Sequence, residues 1–272
     1  MAQFIWIYEF ILFMYGLSLL TYTVDLFKKN WRIKQAAFWL LCLTWLMHTA
    51  VLIGEIIQTN SLPIWTIVDV LYVYSWLLIA LGLLINLFFT VQFIEICVNI
   101  FTFFLLLLAI MLDFKQQGIH HADYIVHEIL VAHISFTVVA YVSFTISFLL
   151  SIMYLLQYQL LRKKKGFRWI WQFTDLKKLD TYSFTAILVG VPLLAIGLIL
   201  GFIWAYTSGS EFYWMDLKTL GSIILLGIYV TAILLRLAQG YRGKPTSMLN
   251  TATFLVLLVN FFLFSVWSDF HF

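Results

Sequence analysis

The groups in this chain best able to do chemistry are imidazoles and carboxylates set inside or beside long apolar runs. His133, in Val-Ala-His-Ile-Ser, lies nine residues into a run starting near 124, a depth of about 14 Å at the helical rise. His48 lies a little over halfway along the run 36–57, and His271 is the penultimate residue. Asp69 sits six residues into its run, and Glu55 and Glu128 stand near the ends of theirs. An ionised group at membrane depth costs at least ~2.5 kcal/mol unless it is paired or hydrated. Such groups therefore mark either a polar cavity or a satisfied core. For His133 the two readings are a metal-binding imidazole and a core histidine bonded to Asp69 or to a carbonyl. For His271 they are a ligand and a frayed, solvated terminus. His48 reads as structural burial, while His120, His121 and His127 read as solvated.

The segment from Trp204 to Lys218 reads Trp-Ala-Tyr-Thr-Ser-Gly-Ser-Glu-Phe-Tyr-Trp-Met-Asp-Leu-Lys. Aromatic planes such as Trp204 and Trp214, beside Asp216, can stack on a large flat ligand while flanking histidines hold a metal at its centre. Iron porphyrin has that form, because its iron accepts imidazole axially. The alternative is an aromatic girdle at the membrane interface. Cys42 and Cys97 form no Cys-x-x-Cys pair, which argues against thiol–disulfide chemistry.

The elements that must position these groups follow from composition. Of 272 residues, 63% are hydrophobic and only 11% charged, against roughly a quarter charged in a soluble domain. Apolar runs at approximately 4–26, 36–57, 63–88, 93–112, 124–160, 181–205, 217–236 and 248–268 can each cross a hydrocarbon core of ~30 Å as a helix. The fold class expected is all-α, a polytopic membrane bundle of eight transmembrane helices. The fifth run is too long for one upright crossing, so it tilts or projects beyond the bilayer.

Fourteen of the 16 Lys and Arg cluster after the first, fifth and seventh runs: Lys28 to Lys34, Arg162 to Lys178, and Arg236 to Lys244. Cytoplasmic loops carry that excess. Both termini are then extracytoplasmic, with Lys115 and Lys218 as the two exceptions, and the first segment reads as a retained helix. A net charge of +3 reflects this bias and points to anionic lipid, with no nucleic-acid partner. The chain reads as one membrane domain, 1–272. Within it, 162–180 is a basic and aromatic cytoplasmic segment in which Trp169, Phe173 and Leu176 suit a short interfacial helix or a plain anchor. Residues 205–216 form an extracytoplasmic loop. In the sixth run, Gly197 and Gly201 form a small-x-x-x-small pair suited to close helix packing, and Pro192 is expected to bend the helix.

Taken in combination, these residues resemble the CcsA/ResC cytochrome c assembly family, most closely its HemX-type members. Pro63, Asp69 and Trp76 keep that family's spacing from a proline through an acidic residue to a tryptophan. His133 matches the histidine before the family's tryptophan-rich motif, and Thr174 to Asp180, Gly190 to Pro192 and Gly201 to Ala205 match the approach to it. Arg236, Gly240, Tyr241, Arg242 and Gly243 resemble the next cytoplasmic loop, and His271 resembles the C-terminal histidine. The likeness covers about 40–272.

The resemblance implies that His133 and His271 are axial ligands of haem b, with Trp204, Trp214, Asp216 and Asp69 around the cofactor, at the outer face. It also has departures. Tyr213 and Met215 stand at tryptophan positions of W-x-W-D, Leu217 replaces the proline of D-P-K, and Leu234 stands where synthases carry a transmembrane histidine. Those departures fit HemX-type proteins. The implied role is a non-enzymatic regulator of haem biosynthesis in the cell membrane that binds haem and lowers glutamyl-tRNA reductase abundance, acting on the reductase or on a protease that degrades it. The alternatives are a haem-handling subunit of a cytochrome c synthase, a haem transporter, and a membrane scaffold without cofactor.

Overall fold

The computed structural model describes residues 5–28, 30–59, 62–64, 66–88, 92–116, 128–164, 175–207 and 217–267. These residues form eight helices: α1 (Ile5–Lys28), α2 (Trp31–Thr59), α3 (Ile67–Phe88), α4 (Gln92–Gln116), α5 (Glu128–Arg162), α6 (Leu176–Thr207), α7 (Leu217–Gln239) and α8 (Lys244–Trp267). All eight are long and apolar enough to cross a membrane. The expected all-α, eight-span bundle is what forms, as backbone in lipid must bond to itself. Along α1, Trp6, Phe13, Leu20 and Phe27 are exposed, an apolar face that requires lipid around it. α5 runs for 35 residues, about 52 Å at the helical rise and well beyond a ~30 Å core.

The chain divides into two compact units, Met1–Val126 and His127–Phe272. In the first, α1 packs on α2 and α4, and α3 packs on α2 and α4. Polar side chains tie these helices where apolar packing alone gives little specificity in lipid. The Tyr15 hydroxyl donates to Asn99 Oδ1 at 3.0 Å, and Ser18 donates to the Ala37 carbonyl at 2.9 Å. Asn86 donates to the Tyr22 hydroxyl at 2.9 Å and also to Glu95. At the turn into α2, Asn30 Oδ1 accepts from Arg32 N–H, an N-cap that takes up one of the first turn's open donors.

In the second unit, α5 is central and packs on α6 and α8, while α7 packs on α6 and α8. The α5–α6 contact is made through glycines. A Cβ at Gly190 would stand 2.7 Å from Phe144 Cε1, at Gly197 2.7 Å from Thr137 Oγ1, and at Gly201 2.7 Å from His133 Cε1. Bare backbone on α6 thus admits three α5 side chains in succession. Mid-bundle, Asn250 of α8 donates to Ser147 at 2.7 Å and Ser151 at 2.8 Å. Both serines also lie within 3.0 Å of the Ser183 hydroxyl of α6.

At the end of this unit that carries the basic residues, Arg236 of α7 grips Asp180 of α6 with two bonds of 2.9 Å. Asp180 Oδ1 also accepts the Gly243 N–H at 3.0 Å. Gly240 and Gly243 have positive φ, 68° and 74°, the left-handed region that glycine enters without strain. The arginine–glycine pattern of this loop is therefore a clasp between α6, α7 and the turn into α8. Leu176, Lys177 and Lys178, expected in a short interfacial helix, instead form the first turn of α6. Asp175 Oδ1 accepts the Lys177 N–H there at 3.3 Å. Trp169 and Phe173 lie outside the described residues, and α6 continues through Pro192 without interruption.

Candidate haem-ligand site on the fifth helix

His133 is five residues along α5 from Glu128, about 7.5 Å at the helical rise. It lies at the end of its unit away from the basic loops. α6 arrives antiparallel, and Gly197 and Gly201 leave a groove into which the imidazole fits. His133 Nδ1 lies 2.6 Å from the Gly197 carbonyl oxygen. A carbonyl can only accept, so Nδ1 carries the proton and in the neutral ring the lone pair resides on Nε2. Metal-ligating histidines are commonly oriented this way, with one ring N–H held by a carbonyl and the other nitrogen turned to the metal. Thr137, one turn on, donates to the His133 carbonyl at 2.7 Å.

The ring borders a cleft of about 70 Å³ whose wall includes Thr137 and Tyr141 of α5, Gly201 of α6, and Lys218 and Ser222 of α7. Ser222 donates to the Lys218 carbonyl at 2.8 Å and accepts from Asn260 of α8 at 3.0 Å. Three helices therefore bring one imidazole, one ammonium and several hydroxyls to one place in an apolar bundle. The chemistry of His133 fits an axial iron ligand. A whole small-molecule pocket occupies ~300–1,000 Å³, and the cleft between these described walls is smaller than that.

Of the other expected site residues, Trp204 is on α6, three residues beyond Gly201 and partly buried. Asp69 is in the first unit, where its carboxylate accepts the Thr66 N–H at 2.9 Å while its own N–H is held by Thr66 Oγ1 at 3.1 Å. This reciprocal pair caps the start of α3. His271, Trp214 and Asp216 lie outside the described residues, as do His120, His121 and His127. Among the described residues, no group of three or more His, Cys, Asp or Glu could hold a metal ion.

His48 is buried completely in the first unit, edge-on to Tyr8 at 5.6 Å and to Tyr72 at 6.4 Å. Neither of its ring nitrogens has a hydrogen-bond partner among the described residues. Trp76 stacks on Trp45 and donates to Thr49 at 2.8 Å. In the sequence Lys218 stood on the unfavoured side, beside Asp216 and Leu217 in the segment set against D-P-K. Its nearness to His133 depends on how α5 and α7 each pack on α6 and α8. Leu234, at the position of the synthases' transmembrane histidine, is on α7 and 58% exposed.

Comparison with known proteins gives the family. Residues 64–271 match the family model described as cytochrome C assembly protein. Protein HemX of Bacillus subtilis (strain 168) is 37% identical over 257 residues, covering 94% of this chain and 93% of that protein. Protein HemX of Brevibacillus brevis is 32% identical over 275 residues, covering 100% of this chain and 99% of that protein. Cytochrome c biogenesis protein CcsA of Prochlorococcus marinus (strain MIT 9215) is 33% identical over 88 residues, covering 32% of this chain and 28% of that protein. With its eight spanning helices and His133 at the head of α5, the chain belongs to the cytochrome c assembly protein family and groups with the HemX-type proteins.

Proposed function

We propose that this protein is a haem-binding membrane regulator, not an enzyme, that lowers the abundance of glutamyl-tRNA reductase. The observation that carries the haem part is the His133 imidazole, its Nδ1 proton held by Gly197 at the margin of a polar cleft. The excess of basic residues at the opposite end supports an extracytoplasmic position for that cleft and for both termini. His271 would supply a second imidazole to the haem iron, and Trp204, Trp214 and Asp216 would complete the site, as the family resemblance implies. When bound, haem supplies an iron that accepts imidazole. His133 contributes the lone pair, Gly197 fixes the ring orientation, and the α5–α6 glycine contact excludes lipid from the ring's back.

The regulatory part is supported by end-to-end similarity to the two HemX proteins. α5 and α6 continue from the His133 groove to the basic end of the unit. A change in their packing at one end therefore reaches the cytoplasmic segment 162–180, where the reductase or its protease would meet the protein. The experiment is a deletion strain complemented with wild type or His133→Ala, with reductase abundance measured by immunoblot. Deletion should raise the reductase and wild type should restore it, while His133→Ala should fail. Unchanged reductase on deletion would refute the regulatory role.

The synthase reading is less well supported. Leu234 offers iron no ligand and faces outward, and the match to the Prochlorococcus marinus CcsA covers 32% of the chain, against 94% and 100% for the two HemX proteins. Intact c-type cytochromes in the deletion strain are therefore expected.

A further inference from the structure

We infer that Lys218 is a carboxylate anchor, and that the cleft beside His133 selects a porphyrin through its propionate side chains as well as through iron. This inference rests on the haem-binding reading and deepens it. Lys218 is half-buried in the first turn of α7 and lines the same cleft as His133. A lysine held at the edge of a membrane bundle normally turns its ammonium to water or to an anionic headgroup. Here it borders a cleft whose other polar groups are hydroxyls, Thr137, Tyr141, Thr219 and Ser222.

Position reinforces the charge. α5 and α7 both begin at this end of the unit, so their positive dipole ends add to the ammonium and favour a negative ligand group. Ser222, fixed between the Lys218 carbonyl and Asn260, holds the first turn of α7 in register with α8. The anchor is thereby preorganised. An imidazole and an ammonium on one small cleft recognise two features that haem combines, a Lewis-acidic iron and peripheral carboxylates. A cleft of about 70 Å³ has room for a carboxylate-bearing edge of such a ligand and not for the whole of it.

The experiment titrates purified full-length protein in nanodiscs with haem and with haem dimethyl ester, following the Soret band and quenching of tryptophan fluorescence. Wild type should bind haem about tenfold or more tighter than the ester, the difference made by one charge-assisted hydrogen bond. Lys218→Gln should lower haem affinity to that of the ester and leave ester affinity unchanged. Lys218→Arg should retain the preference, which shows that charge and not fold is lost in the glutamine variant. Referring each ratio to Lys218→Gln cancels partition of the ester into lipid. Equal affinities in wild type, with a Soret band present, would overturn the anchor and leave haem binding standing. No band and no quenching with either porphyrin would overturn both.

Discussion

Gly201→Ala puts the packing of the His133 groove to the test. A Cβ at Gly201 would lie 2.7 Å from His133 Cε1 and 2.8 Å from Nδ1. Ordinary contact begins near 3.4 Å, so the ring must retreat by about 0.7 Å. The bond from Nδ1 to Gly197 measures 2.6 Å, and the same displacement carries it to the limit of useful hydrogen-bond length, about 3.2 Å. Overpacking of this kind costs roughly 1–3 kcal/mol of stability. Loss of the partner that orients a metal-ligating histidine costs about 10–100-fold in affinity. Gly190→Ala is the control. It overpacks the same α5–α6 contact, 2.7 Å from Phe144 Cε1, three helical turns from His133. Thermal unfolding of both variants in nanodiscs should show similar losses, while haem titration should weaken about tenfold or more only in Gly201→Ala. Equal haem affinity in the two variants would refute the claim that Gly201 seats the ligand ring.

Further outcomes follow from individual contacts. Arg236→Ala should lower the unfolding temperature markedly, since removing one partner of a buried pair costs ~3–5 kcal/mol. Because Arg236 and Asp180 remain slightly exposed, 9% and 11%, the lower end of that range is expected. Arg236→Lys should recover only part of it, since a lysine cannot make the two-pronged bond; full recovery would contradict the clasp. Asp69→Ala should destabilise by about 1 kcal/mol through the lost α3 cap. Asp69→Asn keeps an acceptor and should leave stability close to wild type, so a loss as large as that of Asp69→Ala would contradict the cap. In a background of Cys42→Ser and Cys97→Ser, a cysteine at position 164 should react with impermeant maleimide only after the cytoplasmic side is opened, whereas one at 209 should react in intact cells. The reverse pattern would invert the topology.

Much of the fold was legible because hydropathy and length suffice for it. The eight apolar runs became eight helices with ends shifted by a few residues. The start of α6 was hidden because Leu176-Lys-Lys-Leu-Asp180 is polar helix beyond the apolar run, and hydropathy marks hydrocarbon, not helix. Gly197 and Gly201 announced a close approach, but only packing shows that Thr137 and His133 are what approaches. The carbonyl partner of His133 was one of two options in the sequence. Geometry selects Gly197, 64 residues away. Asp180 and Arg236 were recognisable as separate pieces of family pattern, yet their pairing is a tertiary fact across 56 residues. The cleft was not legible, although Lys218 stood in the D-P-K segment, because α5 and α7 must both pack on α6 before their polar groups share a wall.

The most direct measurement of the central claim is the visible absorption spectrum of gently purified protein, with and without added haem, for wild type and His133→Ala. The account predicts a Soret band in wild type that shifts on reduction and is lost or strongly weakened in His133→Ala, with both proteins folded alike by circular dichroism. A wild-type protein that stays colourless after haem is added, or a band indifferent to the loss of the His133 imidazole, would contradict it.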